Sequence, residues 1–168
     1  MGTLYVATNY AEPNSGTTGP TPAAVSATIT TPKTMLQVAT PSTQKIKVVE
    51  WGVSFDNTTV NTPARVELVE TGAIAATVTS RTPSLWDDPL GPTSLCVGGS
   101  ALTGFTATAE GTVTATRTFD SQMVPTSGQY IKQFPLGREP VIPVSRFLRI
   151  RAAAAAAVNI VCYIVWEE

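Results

Sequence analysis

Hydrophobic and polar residues alternate along several short stretches of the chain, which is the pattern of half-buried β-strands. The clearest stretch is Lys45–Phe55, whose odd positions carry large apolar side chains: Val49, Trp51, Val53 and Phe55. Ala64–Glu70 repeats the alternation, and Phe147–Arg151 places its two arginines opposite its aliphatic residues. Val158–Trp166 is almost continuously apolar, which predicts a strand that is buried on both faces.

Turn-forming residues separate these stretches and divide the chain into short strands. Thr71-Gly72 is a two-residue break that predicts a tight hairpin between Ala64–Glu70 and Ile74–Thr79. Phe105–Phe119 is Thr-rich and alternating, and it predicts one strand with a half-solvated threonine face. Shorter strands are predicted at Ala23–Thr30, Met35–Thr40 and Tyr130–Phe134.

No segment has a helical period over three turns, so the sequence predicts an all-β fold with about eight to ten strands. Ala152–Ala157 is too short for an isolated helix and lies between two predicted strands, which indicates a β-arch or a hairpin. The 168 residues are enough for one domain. We therefore expect a single-domain β-sandwich or jelly roll over residues 23–168.

Residues 1–22 are predicted to form an extended N-terminal arm. Residues 11–22 contain three prolines and two glycines and have little to bury, although Leu4–Ala7 could add a short strand. Two interpretations stay open, a tail without a role and an arm that becomes ordered on a partner. In the second, Leu4, Tyr5 and Tyr10 are the candidate interface residues.

Residues 80–100 form a long predicted loop, and such loops tend to be functional or covered. Trp86 stands there beside Asp87 and Asp88. It is a fourth candidate interface residue if the loop is a binding tip. Alternatively, Trp86 folds back onto the edge of its own domain.

Composition and charge exclude several function classes. The chain has no histidine, which removes the Ser-His-Asp and Cys-His nucleophiles and the commonest metal ligand. Charged residues make up only 14%, and a net charge of −1 leaves no basic excess for nucleic acid. The longest apolar stretch, Ala152–Trp166, is shorter than the roughly 20 residues of a membrane span. We expect no cofactor, no metal, no nucleic-acid or membrane partner, and synthesis in a cytoplasm without secretion.

The remaining candidate chemistry lies in carboxylates and cysteines. Glu50, Glu67 and Glu70 are on neighbouring predicted strands and would have to share a cleft to act as acid and base. A solvated sheet face with arginine and lysine partners is the alternative, and we favour it over an enzyme. Cys96 and Cys162 are either a disulfide or reactive thiols, or two buried small residues, and the missing secretory signal favours burial.

Several runs resemble the small head proteins of tailed phages, most closely those of phages that infect actinobacteria. These runs are Val49–Asp56, Arg65–Gly72, Lys132–Pro140, Phe147–Arg151 and Cys162–Glu168. The resemblance covers most of the chain from about residue 45 onward. Residues 1–22 match nothing in that family.

The resemblance implies a jelly-roll-like capsid decoration (cement) or minor capsid protein. Such a protein would form a homotrimer, bind the lattice of the major capsid protein at the virion surface, and be made in the cytoplasm of the bacterial host. The alternative is a carbohydrate- or receptor-binding β module of a phage tail or surface protein, with Trp86, Asp87 and Asp88 at its tip.

Overall fold

The structure is a computed structural model of the chain, and it describes residues 2–10, 23–25, 31–57 and 62–168. Within these ranges the chain forms thirteen β-strands and no helix. The strands are β1 (Leu4–Thr8), β2 (Ala23–Val25), β3 (Lys33–Ala39), β4 (Ile46–Phe55), β5 (Ala64–Glu70), β6 (Thr77–Ser80), β7 (Ser84–Leu85), β8 (Gly104–Ala109), β9 (Arg117–Val124), β10 (Gln129–Gln133), β11 (Val141–Ile142), β12 (Phe147–Ala153) and β13 (Val158–Glu167).

The strands form two antiparallel sheets. Sheet A has seven strands in the order β10-β4-β13-β1-β7, with β11 also paired to β4 and β2 also paired to β13. Sheet B has six strands in the order β6-β8-β3-β12-β5-β9. This architecture confirms the all-β sandwich, whereas the jelly-roll connectivity stays a prediction.

The core lies between the sheets and is built from the inward side chains of the alternating strands. Trp51 and Trp166 of sheet A are fully buried, together with Leu148 and Ile150 of sheet B. Tyr5 stacks on Trp166 with a centroid distance of 6.2 Å. β12 places Leu148 and Ile150 in the core, as the sequence predicts. In β4 the core side chains change from even positions (Ile46 and Val48) to odd positions from Trp51 onward, where its pairing with β13 shifts register, so the prediction that Val49 faces the core is wrong.

The predicted hairpin at Thr71-Gly72 is wrong. β5 pairs with β12 and β9, whereas β6 lies at the far edge of sheet B beside β8. Gly72 does break the strand, with φ at +84°. The chain then crosses the outer face of sheet B. The side chain of Gln37 holds it there, since its Oε1 accepts from the N–H of Ala76 and its Nε2 donates to the carbonyl of Ala76.

The single strand predicted for Phe105–Phe119 is also wrong, because β8 ends at Ala109 and β9 begins at Arg117. Gly111 interrupts the stretch with φ at +67°, a backbone conformation that favours glycine. A Cβ at this position would lie 2.4 Å from the carbonyl oxygen of Ala75. The chain at Gly111 therefore packs closely against Ala75 and leaves the strand conformation there. The alternation of the sequence does not predict this contact.

The alanine-rich connection is an arch. It joins β12 in sheet B to β13 in sheet A, and Ala152, Ala153 and Ala154 are buried. Small side chains allow the chain to cross between the sheets at close range. β13 occupies the middle of sheet A, but its outer face is less buried than predicted, since Asn159 is exposed and Tyr163 is only half-buried.

The first strands occupy one edge of β13 in series. β1 pairs with Tyr163 to Glu167, and β2 pairs with Val158 to Ile160. The structure therefore confirms a short strand at Leu4–Ala7, as part of β1 in sheet A. The predicted boundary at residue 22 stays a prediction, because residues 11–22 lie outside the described residues.

Asn9 completes the edge where β1 ends. Its side-chain amide donates to the carbonyl of Ile160 at 2.9 Å and accepts from the N–H of Cys162 at 2.8 Å. Its own backbone N–H donates to the carbonyl of Cys162. Asn9 is fully buried, so its side chain takes the place of a peptide group in the sheet.

Candidate interaction surface

The three glutamates considered for catalysis do not share a cleft. Glu50 lies in sheet A, whereas Glu67 and Glu70 lie in sheet B. Glu67 is paired with Arg65 at 2.8 Å and with Arg151 at 3.2 Å. Glu70 accepts a hydrogen bond from Arg117 Nε at 2.7 Å. Glu67 and Glu70 therefore have the predicted arginine partners, but both are buried, so the solvated sheet face predicted for them is wrong.

Glu50 is engaged on the outer face of sheet A. Its carboxylate accepts a hydrogen bond from the hydroxyl of Tyr163. Burial, together with the nearby carboxylate, raises the pKa of Tyr163 above its ordinary value. The ring of Tyr163 lies over Gly52, where a Cβ would be 2.5 Å from a ring carbon.

A buried arginine organises the outer face of sheet B, and sequence reasoning did not identify it. Arg149 is fully buried and donates to the carbonyls of Ile74 at 2.6 Å and Glu110 at 3.0 Å. The Glu110 carboxylate accepts from both the N–H and the hydroxyl of Thr34 at 2.6 Å. Burial lowers the pKa of Arg149 to about 10. This network attaches two crossing segments to the sheet.

Cys96 and Cys162 are buried free thiols, so the disulfide alternative is wrong. Burial raises the pKa of both thiols, and the charge of Glu168 adds to the effect at Cys96. A thiol in this state has little nucleophilic thiolate, so the two residues serve as small core side chains.

The loop after β7 is attached to both ends of the described chain. The N–H of Trp86 donates to the carbonyl of Leu4 at 2.9 Å, and the hydroxyl of Tyr5 donates to the carbonyl of Pro92 at 2.9 Å. Further along the loop, the N–H of Leu95 donates to the carboxylate of Glu168 at 2.8 Å. The loop is therefore held against sheet A at several points.

The four candidate interface residues have different surroundings. Tyr5 is only 2% exposed and belongs to the protein's own core, so it does not present a surface to a partner. Leu4 and Tyr10 are half-buried. Trp86 is 56% exposed, which favours the binding tip over a side chain folded back on the domain.

The two aspartates beside Trp86 stabilise the loop internally. Asp87 Oδ1 accepts from the N–H of Leu4 at 3.3 Å and from the N–H of Asp88 at 2.9 Å. Asp88 Oδ1 accepts from the N–H of Leu90 at 2.9 Å. Both carboxylates therefore act as turn-forming acceptors within the loop.

Large apolar side chains are exposed along opposite edges of sheet A. They comprise Trp86, Leu90 and Leu95 beyond β7, and Ile131, Leu136, Val141 and Val144 in and after β10. Leu90 and Leu136 are 92% and 96% exposed. Sequence reasoning missed both leucines, although each stands in a Pro-Leu-Gly tripeptide at residues 89–91 and 135–137.

Asp120 joins the edge strands of the two sheets. On β9 it accepts hydrogen bonds from Gln122 at 2.9 Å and from the hydroxyl of Tyr130 on β10 at 2.8 Å, and it lies 3.4 Å from Lys132. Burial alone would raise its pKa, but these hydrogen bonds and the lysine charge outweigh burial and hold the pKa below its usual value. Burial, together with the hydrogen bond to Asp120, raises the pKa of Tyr130 to about 12.

No protein-family model, curated protein or solved structure matches this chain. Over the part of the chain that the structure describes, no helix is long and apolar enough to cross a membrane. In that same part, no group of three or more acidic or cysteine side chains is arranged to hold a metal ion. The exposed apolar residues on the edges of sheet A define the candidate site.

Proposed function

We propose that the chain is a non-catalytic structural protein of a tailed-phage head, a decoration (cement) or minor capsid protein that binds the lattice of the major capsid protein. The observation that carries the proposal is the exposure of large apolar side chains on firmly anchored loops at the edges of sheet A. Burial of these side chains against a partner would remove apolar surface from water and so favour association. The resemblance of the sequence to phage head proteins supplies the identity of the partner.

The state of the polar groups supports a structural role. The carboxylates on the sheets are tied into ion pairs or hydrogen bonds with tyrosine, arginine and lysine. The thiols are buried. A general acid or base needs access to a substrate, and the exposed apolar residues offer association instead of chemistry.

We also propose that the protein associates with itself, as a homotrimer on the virion surface after synthesis in the bacterial cytoplasm. Among the described residues, β10 pairs with one strand, β4, and no strand pairs with its other edge; Ile131 is exposed at its centre. An open edge with an apolar side chain favours association between copies. Light scattering on the eluting protein should give the mass of three chains, and a monomer would contradict this part of the proposal.

Mass spectrometry of purified phage heads tests the main proposal. The chain should be present in mature heads in many copies and should remain with the heads through density-gradient purification. Absence from mature heads, in a lysate where the chain is detected, would contradict the proposal.

A carbohydrate- or receptor-binding module is the second candidate, because Trp86 is exposed on a loop tip. Aromatic rings can stack on sugars, but the neighbouring carboxylates already accept hydrogen bonds from the loop itself. A glycan array with the wild type and Trp86→Ala separates the two candidates. Glycan binding that disappears in the variant would favour the second candidate over the first.

A further inference from the structure

Leu90 and Leu136 are presented by two hydrogen-bonded turns. The N–H of Gly91 donates to the carbonyl of Asp88 at 3.0 Å, with Pro89 between them. The N–H of Arg138 donates to the carbonyl of Pro135 at 2.9 Å, and Gly137 has a φ of +80°, which is typical of a type II turn. Proline and the turn hydrogen bonds restrict both backbones before any partner binds, which lowers the entropy cost of binding.

Both turns lie at the same end of sheet A, where Lys47 pairs with Glu167 (the Glu167 end). The first turn follows β7. Trp86, directly after β7, hydrogen-bonds to Leu4, and Leu4 pairs with Glu167. The second turn lies between β10 and β11, and β11 pairs with Lys47. Four inter-strand spacings, roughly 19 Å, separate β7 from β10. The leucines are thus two apolar points on opposite edges of one end.

The charge near Leu90 indicates the chemistry of the partner surface at that point, whereas Leu136 is followed by one basic and one acidic residue, Arg138 and Glu139. Residues 82–116 contain three acidic residues and no basic one, and two of the three, Asp87 and Asp88, directly precede the first turn. Glu168 holds the same loop. This acidic surface disfavours anionic lipid and nucleic acid and favours a protein surface with basic side chains.

We propose that Leu90 and Leu136 together form a two-point attachment to a protein lattice that has two apolar sockets, of which the one for Leu90 is rimmed by lysine or arginine. This inference rests on the proposed function, and it assigns the Glu167 end as the surface that faces the lattice. Two anchors on a broad, rigid end require a partner surface wider than a small ligand provides. Burial of a leucine side chain supplies most of the binding energy at each point.

Binding of the full chain to phage heads assembled without it tests the inference. The variants are Leu90→Ala, Leu136→Ala and the double variant. The matched control is Ile74→Ala, since Ile74 is 43% exposed but lies over the outer face of sheet B. Each leucine variant should weaken the Kd about tenfold to a hundredfold, the double variant should weaken it further, and the control should bind like the wild type. The leucine variants should keep wild-type stability in urea, because both leucines are exposed.

The outcomes separate the inference from the proposed function. Wild-type protein that binds heads, with leucine variants that bind equally well, would overturn the inference and leave the function standing. An effect of only one leucine would overturn the two-point attachment. Binding of the wild type to vesicles of phosphatidylcholine and phosphatidylglycerol, lost in the leucine variants, would overturn the protein partner. A wild type that does not bind heads would contradict the proposed function and the inference with it.

Discussion

Asn9→Ala should destabilise the protein strongly, although the substitution removes only a small polar side chain. The Asn9 amide bonds to Ile160 and to Cys162, two backbone groups of β13 at the gap between β1 and β2. Alanine keeps the backbone hydrogen bond of residue 9 but leaves a carbonyl and an N–H without partners. Both groups lie in a buried part of sheet A.

The expected cost follows from the two orphaned groups. A buried backbone group that loses its partner costs about 1–3 kcal/mol. Two such groups give a loss of at least about 2 kcal/mol in the free energy of unfolding. For a domain of this size, that loss lowers the Tm by about 4–8 °C.

Urea unfolding followed by tryptophan fluorescence measures the difference. Asn159→Ala is the matched control, because the amide of Asn159 donates at 2.9 Å to Asp56 on the exposed surface. The control should change the free energy of unfolding by no more than about 0.5 kcal/mol. Equal, small effects of Asn9→Ala and Asn159→Ala would refute the reasoning that the Asn9 side chain completes the sheet.

Three further predictions follow from contacts elsewhere in the sandwich. Gly52→Ala should lower the Tm by several degrees, because the new Cβ would lie 2.5 Å from a ring carbon of Tyr163. Gly128→Ala is the control, since its Cβ would have no atom nearer than 3.4 Å, and it should leave the Tm unchanged. Equal Tm values for the two variants would count against the packing of Tyr163 on Gly52. Cys96 and Cys162 should react with a thiol reagent at pH 8 only after denaturation, and rapid labelling of the native protein would contradict their burial. Asp120 has a lowered pKa, so its stabilisation is present above about pH 4 and is lost as the pH falls through the folded-state pKa. Asp120→Asn should flatten the fall of urea-measured stability below about pH 4, and an unchanged slope would refute the assignment.

The sequence predicts the strands whose alternation reflects a single buried face. β5 is found at the predicted residues, and β4 begins one residue later than predicted. In β5, and in β4 from Trp51 onward, one set of side chains meets the core, so the period of two is visible without knowledge of the partners. The register shift of β4 near Val49 depends on its pairing with β13, and the alternation does not predict it. The run Ala152–Ala157 is compatible with both an arch and a hairpin, because side-chain size alone does not say which sheet receives the next strand.

The sequence does not predict strand order or the polar networks that depend on it. The Thr71-Gly72 break is typical of a hairpin, but the segment that follows it crosses sheet B, where Ala76 hydrogen-bonds to the side chain of Gln37. Arg149 reads as a solvated residue in an alternating strand, yet it is buried under that same segment. Such contacts join residues far apart in the chain, and no local pattern records them.

The candidate surface was predicted only in part. Trp86 stands out in the sequence because it is an aromatic residue in a long loop, and its exposure agrees with the binding-tip interpretation. The sequence predicts Tyr5 as an interface residue of the N-terminal arm, but Tyr5 lies on β1 and packs against Trp166. Leu90 and Leu136 carry no signal of exposure except the repeated Pro-Leu-Gly turn, whose position relative to sheet A depends on the fold.

A cryo-electron microscopy map of heads assembled with and without the chain tests the central claim most directly. The account predicts additional density for a two-sheet sandwich on the outside of the shell, with the Glu167 end and its two leucine turns against the lattice. Identical maps of the two head preparations would contradict the claim that the chain is a structural component of the head.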